Sequence, residues 1–217
     1  MLSSDDSDHP PVQPGAMHPD AASIIGLYDR HAAAFDAQRG KSLFERDWLG
    51  RFTALVPPGG TMLDLGCGSG EPIARFLLQS GFQVTGVDSA PTMIAMCRAR
   101  FPRQDWHVAE MRGLELGRRF DGILAWDSFF HLDHEDQRRM FPVFRAHAAS
   151  GAALVFTSGP AHGVALGSFE GETLFHSSLD PEEYRSLLGA HGFQVVAHRA
   201  EDPDCGGRTI WLARAVG

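Results

Sequence analysis

The sequence has few of the residues that would indicate a disulfide-stabilised or metal-binding fold. Its three cysteines, Cys67, Cys97 and Cys205, are odd in number and contain no Cys-x-x-Cys motif. Among the histidines, His131 and His134 come nearest to metal-ligand spacing, and no further ligand pattern accompanies them. We therefore expect neither a disulfide scaffold nor a metal centre, and the cysteine usage is typical of the reducing cytoplasm.

Positive charge is also scarce. The chain has 19 Lys and Arg against 27 Asp and Glu, which gives a formal net charge of -8. Proteins that bind nucleic acids contact phosphates through clustered Lys and Arg. The only short basic clusters, at residues 98–103 and 112–119, are interrupted by apolar residues. We expect no nucleic-acid partner.

Long apolar runs are absent as well, so we expect no membrane partner. Residues 1–20 are rich in Asp, Ser, Pro and His and lack the basic start and apolar segment of a signal peptide. We interpret them as a disordered leader. The remaining residues, 21–217, form one predicted domain, because 217 residues with 43% hydrophobic content can bury one substantial α/β core.

A glycine-rich loop is the most informative feature that is present. Residues 63–70 read LDLGCGSG, with Gly66, Gly68 and Gly70 at alternate positions after a short apolar run. Glycine lacks a Cβ and tolerates positive φ, so this loop can turn tightly and bring its backbone close to a ligand. Asp88 ends the next apolar run, where its carboxylate can accept two hydrogen bonds from a ribose diol. Together they predict a nucleotide-type cofactor, although such a loop can also simply close a βα unit.

The spacing of the glycines separates two classes of cofactor. The loop has Gly-x-Gly-x-Gly rather than the Gly-x-Gly-x-x-Gly of dinucleotide enzymes. Asp64, just before the first glycine, is unfavourable beside a pyrophosphate. A phosphate-free cofactor fits better than NAD(P). An NAD(P)-type oxidoreductase is the rival interpretation, and it would place the third glycine one residue later and an apolar residue at position 64.

Predicted strands and helices alternate along the chain. The pattern predicts strands at 62–65, 83–87, 106–109, 120–126 and 153–157, with helices at 72–80, 91–100 and 133–148, the second of them capped by Ser89. Such alternation requires right-handed crossovers and a parallel sheet covered by helices on both faces. Helices at 24–38 and 43–55 precede the sheet as a helical cover over 21–56.

The C-terminal part departs from this alternation. A helix begins at the capping sequence 180–183, and strands follow at 193–198 and 209–214. The link between these strands is too short for a parallel crossover, so they form an antiparallel hairpin. Residues 158–179 contain four glycines and leave the carboxyl edge of the sheet after the fifth strand. We interpret them as an irregular loop that serves as a substrate lid.

These motifs resemble those of the class I S-adenosylmethionine (SAM) dependent methyltransferases. Residues 63–70 read like the first motif of that family, and Asp88 matches the acid that ends its second strand. The resemblance extends over about residues 24–214. It implies an α/β fold with a doubly wound, mostly parallel sheet of seven strands that ends in a C-terminal antiparallel hairpin. It also implies SAM as cofactor and S-adenosylhomocysteine (SAH) as product.

The resemblance further implies which residues bind SAM. The three loop glycines approach its methionine part, Asp64 holds the loop and meets the ammonium group, and Asp88 binds the ribose. Met93 packs on the adenine or is plain core, and Glu110 contacts the adenine amino group, although Ala109-Glu110-Met111 departs from the usual Gly-Asp. The full predicted set is Tyr28, Arg39, Asp64, Gly66, Cys67, Gly68, Gly70, Asp88, Ser89, Met93, Glu110, Met111 and Trp126.

Residues 126–131 follow the fourth strand, across from the glycine loop, where substrate and sulfonium are expected to meet. Methyl transfer is an in-line displacement, so alignment and exclusion of water carry much of the catalysis. A hydroxyl or ammonium acceptor must also lose a proton. His131, with an ordinary pKa of ~6.5, is the first candidate base and Asp127 the second. His131 has an alternative role as a helix-start residue bonded to backbone, and a carboxylate or thiolate acceptor needs no base.

Aromatic and histidine side chains of the lid and the preceding turn are expected to shape the acceptor pocket. They are Phe130, His162, Phe169, Phe175 and His176. We therefore predict a SAM-dependent methyltransferase that modifies an O, N or carboxylate group of a small molecule. A SAM-binding protein without catalysis is the second alternative, and turnover with any acceptor would eliminate it.

Overall fold

The computed structural model describes residues 18–217, so the predicted leader over residues 1–20 lies outside them except for its last three residues. Those three residues belong to the folded chain, because the first helix begins at Pro19. The Nδ1 atom of His18 accepts a hydrogen bond from the backbone N–H of Asp20 at 3.3 Å. Proline at the first helical position costs no hydrogen bond, which explains this early start.

Three helices precede the sheet. They are α1 (Pro19–Arg30), α2 (Ala32–Gln38) and α3 (Arg46–Thr53). The single helix predicted over 24–38 is broken at His31, whose φ of -106° leaves the helical region. The break changes the direction of the chain, and both segments pack over the carboxyl edge of the sheet through Tyr28 and Phe35.

Within residues 18–217, nine strands form two sheets. The strands are β1 (Thr61–Leu65), β2 (Gln83–Asp88), β3 (Asp105–Val108), β4 (Phe120–Ala125), β5 (Ala148–Ser158), β6 (Gly163–Phe169), β7 (Glu172–Ser178), β8 (Phe193–Asp202) and β9 (Arg208–Ala215). The main sheet has seven strands in the order β3-β2-β1-β4-β5-β9-β8. Its first five strands are parallel, and β9 pairs antiparallel with both β5 and β8. The predicted fold class and its C-terminal hairpin are confirmed.

Four further helices cover the two faces of the main sheet. They are α4 (Ile73–Gln79), α5 (Pro91–Arg100), α6 (His134–His147) and α7 (Pro181–Ala190). The prediction that Ser89 caps α5 is wrong, because Asp88 instead accepts the backbone N–H of Ala90 through Oδ1 at 2.9 Å. None of the helices within residues 18–217 is long and apolar enough to cross a membrane.

The core lies on both faces of the sheet, as a parallel sheet requires. One face buries an aromatic cluster with Phe129, Phe144 and Trp211, and the other buries Phe52 and Trp106 among aliphatic side chains. These two layers fix the relative positions of the strand ends and therefore of the loops that follow them.

The prediction of an irregular loop over residues 158–179 is wrong. After β5 the chain forms an antiparallel hairpin, β6–β7, whose two turn residues, Glu170 and Gly171, have positive φ values of 52° and 82°. The interior residues of β6, 164–168, are all exposed, so the strand lacks the alternation of buried and exposed positions from which a strand is predicted. Its order comes from pairing with β7 and from contacts to the N-terminal helices.

Candidate cofactor site

The main cavity opens at the carboxyl ends of β1, β2 and β4, where the strand order reverses direction. Doubly wound sheets bind ligands at this point. The empty space, counted together with its open mouth, measures about 850 Å³. Its lining residues are Ala21, Ile24, Ile25, Tyr28, Phe35, Gly66, Gly68, Val87, Asp88, Ser89, Met93, Ala109, Glu110, Met111, Arg112, Asp127, Ser128, His131, Leu132 and Asp136.

The glycine loop forms the floor of this cavity. Gly66 has a φ of 73°, and a Cβ there would lie 2.3 Å from the Cβ of Ser128. Ser128 is held in place by its Oγ, which donates to the carbonyl of Leu65 at 2.6 Å. Only glycine fits between the loop and the turn after β4, because both the backbone conformation and the space exclude a side chain.

Asp88 lies at the cavity end of β2. Its Oδ2 accepts the backbone N–H of Gly68 and its Oδ1 that of Ala90, each at 2.9 Å. Burial raises the pKa of this carboxyl, and the two backbone hydrogen bonds partly oppose the shift. Each carboxylate oxygen has a further lone pair. Asp88 therefore orders the glycine loop and can still accept hydrogen bonds from a ligand.

Asp64 lies below the loop on β1, in register with Gly86 of β2. Burial, followed by the charge of Asp88, raises the pKa of Asp64 to about 7. Two carboxyl groups in one buried region resist being charged together. A ligand that is cationic or donates hydrogen bonds would relieve this repulsion.

Met93, Met111 and Glu110 line one side of the cavity. Glu110 forms an ion pair with Arg112, which also donates to Oδ2 of the buried Asp136 at 2.5 Å. This charge network closes one end of the cavity. Sequence reasoning missed Arg112 and Asp136, because their pairing joins positions 24 residues apart and no local pattern signals it.

Tyr28 and His131 form a hydrogen-bonded pair in the cavity lining. The Nδ1 atom of His131 lies 2.8 Å from the carbonyl oxygen of Phe175, and its Nε2 lies 3.0 Å from the Tyr28 hydroxyl. A carbonyl can only accept, so Nδ1 carries the proton and Nε2 accepts the hydrogen bond that Tyr28 donates. Burial lowers the pKa of His131 to about 3 and raises the pKa of Tyr28.

The predicted role of His131 as a general base finds little support in its surroundings. Both ring nitrogens have partners within the protein, and the pKa lies far below the working pH. A base with so low a pKa takes up little of the proton that it must remove. His131 instead holds the hydroxyl of Tyr28 in place. Phe35, seven residues after Tyr28 and on the same cavity wall, is a lining residue that helical spacing alone could have indicated.

Asp127, the second candidate base, is engaged in an ion pair. The Arg208 guanidinium donates to both of its carboxylate oxygens at 2.7 to 2.9 Å. Its backbone N–H donates to Oγ1 of Thr157 at 2.8 Å, and its φ of 49° is in the left-handed region. The ion pair with Arg208 fixes the side chain of Asp127, and the hydrogen bond to Thr157 fixes its backbone. Asp127 is therefore held at the wall of the main cavity.

A second depression, which we name the hairpin groove, lies beyond this ion pair, between the β6–β7 hairpin and the ends of β5 and β9. It is lined by Phe130, Ser158, Gly159, Pro160, Ala161, Gly163, Val164, Ala165, His176, Ser177, Ser178, Glu201, Gly207, Arg208 and Thr209. Two of the predicted substrate residues, Phe130 and His176, lie here, with ring centroids 5.0 Å apart.

The other predicted substrate residues lie elsewhere. The Phe169 ring packs on those of Tyr28 and Phe35, with ring centroids 6.2 Å apart in each case. Phe175 is fully buried. His162 stacks on His134, with centroids 4.3 Å apart, at the base of the hairpin. The five residues therefore do not share one pocket wall.

Five predicted cofactor residues lie outside the cavity lining: Arg39, Asp64, Cys67, Gly70 and Trp126. Arg39 forms an ion pair with the buried Glu45. The Gly70 backbone packs against Cys97 and Phe101, and Trp126 belongs to the core cluster that also contains Cys67. Among the predicted set, Tyr28, Gly66, Gly68, Asp88, Ser89, Met93, Glu110 and Met111 line the cavity.

Residues 62–151 match the family model described as a methyltransferase domain. A dTDP-4-amino-2,3,4,6-tetradeoxy-D-glucose N,N-dimethyltransferase of Saccharopolyspora spinosa is 29% identical over 58% of this chain and 53% of its own length. A ubiquinone biosynthesis O-methyltransferase of Methylobacterium nodulans is 37% identical over 33% of this chain and 30% of its own. The chain thus spans about half or less of these curated relatives.

Solved structures match over nearly the full chain. The 1,6-didemethyltoxoflavin-N1-methyltransferase of Burkholderia thailandensis has a TM-score of 0.74 at 19% identity and covers 97% of this chain and 93% of its own. A SAM-bound amino pentose methyltransferase from Micromonospora echinaspora has a TM-score of 0.67 at 24% identity and covers 86% and 97%. The predicted resemblance is confirmed: residues 62–151 match a methyltransferase domain, and the chain has the fold of the class I SAM-dependent methyltransferases.

Proposed function

We propose that this protein transfers the methyl group of SAM to a nitrogen or oxygen atom of a small molecule. The observation that carries the proposal is the position of Asp88. Its half-buried carboxylate, bonded to the backbone of Gly68 and Ala90, faces the main cavity at the point where the strand order reverses. A sugar diol is the natural hydrogen-bond donor for a carboxylate held in this way.

The cavity lining fits the remaining parts of SAM. Met93 and Met111 offer polarizable side chains to the adenine, Glu110 lies beside them, and the backbone of Gly66 and Gly68 is open to the methionine part. SAM supplies a methyl group on a positively charged sulfur. The carboxyl groups of Asp64 and Asp88 create a negative region that favours such a cation.

The acceptor side of the proposal rests on the hairpin groove. It adjoins the main cavity across Asp127 and Arg208, and it offers aromatic and hydroxyl side chains together. The Saccharopolyspora relative is named for an amino sugar and the Burkholderia structure for a toxoflavin precursor, both small molecules. The net charge of -8 disfavours nucleic acid as a substrate.

Calorimetric titration with SAH and, separately, with NADH tests the cofactor. We expect one-to-one binding of SAH and none of NADH, and NADH binding alone would contradict the proposal. Turnover is then measured as SAH release from SAM with a panel of dTDP-amino-deoxy sugars and hydroxylated aromatic compounds. SAH binding without turnover on any acceptor would favour a SAM-binding protein without catalysis.

A further inference from the structure

His176 lies on β7 in the wall of the hairpin groove, and its ring contacts that of a residue that lines the main cavity. Its ring centroid is 4.9 Å from that of His131, which lines the main cavity, and 5.0 Å from that of Phe130, which lines the groove. Its side chain also forms part of the groove wall, and the residue is only half-buried. No other histidine in the described chain lines the groove.

One ring nitrogen of His176 is engaged and the other is available. The ring donates a hydrogen bond to the backbone of Ala165, its register partner in β6. A neutral imidazole has one N–H and one lone pair, so the second nitrogen can accept a proton. Burial lowers the pKa of His176 below its ordinary value, opposed by the bond to Ala165 and the charge of Asp127. The ring is therefore neutral at pH 7.

We propose that His176 removes the proton from the nucleophilic atom of the acceptor, which reaches the methyl group through the hairpin groove. This inference rests on the proposed function and deepens it by naming the acceptor class. The acceptor would be a hydroxyl or an amine, each of which has a proton to lose, rather than a carboxylate. It would contact the Phe130 ring with one face and His176 with its reacting atom.

The charged neighbours of His176 support this role. Asp127 faces it from the end of β4 and would stabilise the protonated ring, while the bidentate pair with Arg208 keeps Asp127 from acting as the base. His131 faces it from the turn after β4 and stays neutral, because burial keeps its pKa near 3. Of these three side chains, His176 is therefore the one that can accept a proton from a ligand in the hairpin groove.

The step balances in atoms and electrons. The lone pair of the acceptor oxygen or nitrogen forms the new bond to the methyl carbon, and the S–C bond breaks with its electron pair kept on sulfur. The proton on the acceptor atom moves to the free ring nitrogen of His176 and then to solvent. An amine that arrives as an ammonium ion gives this proton up before it attacks.

The test compares the wild type with His176→Gln and the control His191→Gln, whose side chain packs on Phe141 at the end of α7. With an acceptor from the panel above, His176→Gln should lower kcat about 100-fold and change KM and the SAH affinity less than twofold. The rise of kcat with pH seen in the wild type should disappear. His191→Gln should behave as the wild type. Undiminished kcat in His176→Gln would overturn the proposal.

A second measurement needs no acceptor and separates this inference from the proposed function. Protein labelled with ¹³C-histidine is titrated by NMR in the presence of SAH, and the signals are assigned with His176→Gln and His131→Gln. His176 should titrate with a pKa below the ordinary histidine value. If His176 stays neutral down to pH 4, it is not the base. Absence of SAH binding would instead overturn the proposed function, and turnover on carboxylates alone would overturn the acceptor class.

Discussion

The two walls of the main cavity are built in different ways. The wall formed by the glycine loop and Asp88 is held by hydrogen bonds that backbone N–H groups donate, such as that of Gly68 to Oδ2 of Asp88, 20 positions away. The wall formed by the N-terminal helices and the hairpin consists of side-chain contacts, such as the one between Arg30 and Glu172, which are 142 positions apart. The geometry of the first wall is therefore fixed by the backbone. The second wall depends on side chains that are partly exposed to solvent.

This difference indicates a division of labour. Contacts fixed by backbone suit a cofactor that is the same in every turnover. Ion pairs between exposed side chains contribute little to stability and break readily, which suits a wall that opens for exchange. Arg30 and His31 on the helices both bond Glu172, while Gln38 bonds Glu170 at 2.6 Å. We name these contacts the hairpin latch.

The largest effect is expected on the backbone-built wall. Gly66→Ala places a Cβ 2.3 Å from that of Ser128 at a φ of 73°. The strained φ costs about 1–2 kcal/mol and overpacking about 1–3 kcal/mol, so unfolding in urea should show a loss of roughly 3 kcal/mol, with SAH binding abolished. Gly68→Ala is the matched control, because its nearest neighbour is 3.5 Å away. Equal losses of stability in both variants would mean that the close approach to Ser128 does not cause the effect.

Asp88→Ala should weaken SAH binding by about 1.5–3 kcal/mol, or roughly ten- to hundredfold, through lost charged hydrogen bonds. Asp121→Ala is the control, because Asp121 also accepts a backbone N–H, that of Thr61 at 2.9 Å, but lies outside the cavity lining. Calorimetric titration with SAH measures the affinity of both variants. Wild-type affinity in Asp88→Ala would show that the ribose binds elsewhere.

The buried His131 predicts a pH dependence of stability. Its folded pKa of about 3 lies below the unfolded value, so the unfolded chain takes up the proton first. The stability from neutral His131 is present above pH ~6.5 and is lost as pH falls toward 3. Between pH 7 and 5 this amounts to about 2 kcal/mol. Urea unfolding at pH 7 and at pH 5 measures this loss. The free energy of unfolding of His131→Gln should fall by about 2 kcal/mol less than that of the wild type. Equal losses in the two proteins would contradict a buried, neutral His131.

The smallest effect is expected at the hairpin latch. Glu172→Gln removes the charge that pairs with Arg30 and His31, so SAH should dissociate a few-fold faster in a stopped-flow displacement experiment. Glu183→Gln is the matched control, because it breaks a comparable ion pair with Arg138 between α6 and α7. An unchanged rate in Glu172→Gln would mean that the latch does not limit exchange.

The same contrast explains what could be predicted from the sequence. The positions of the main strands followed from local periodicity, and their seven-stranded arrangement from the family resemblance. Gly66, Gly68 and Asp88 were placed at the cavity because their positions depend on backbone conformation at fixed spacing. The β6–β7 hairpin was not predicted, because the interior residues of β6 are exposed on both faces of the strand.

The site residues whose surroundings the sequence did not indicate were those with distant partners. His131 was judged by its ordinary pKa, but Tyr28, 103 positions away, and Phe175 occupy its nitrogens. Arg39 was placed at the cofactor by position alone, and the buried Glu45 holds its guanidinium. Burial and charge pairing of this kind depend on the assembled fold and leave no periodic signal in the chain.

The β6–β7 hairpin forms its own two-stranded sheet, separate from the main sheet. Gly163 and Ser178, at its two ends, are paired in register, so the chain leaves and re-enters the domain at nearly one place. Replacing the exposed strand β6 would therefore leave every strand pairing of the main sheet in place. On the proposed function, such a change would alter the groove that receives the acceptor and leave the glycine loop and Asp88 as they are.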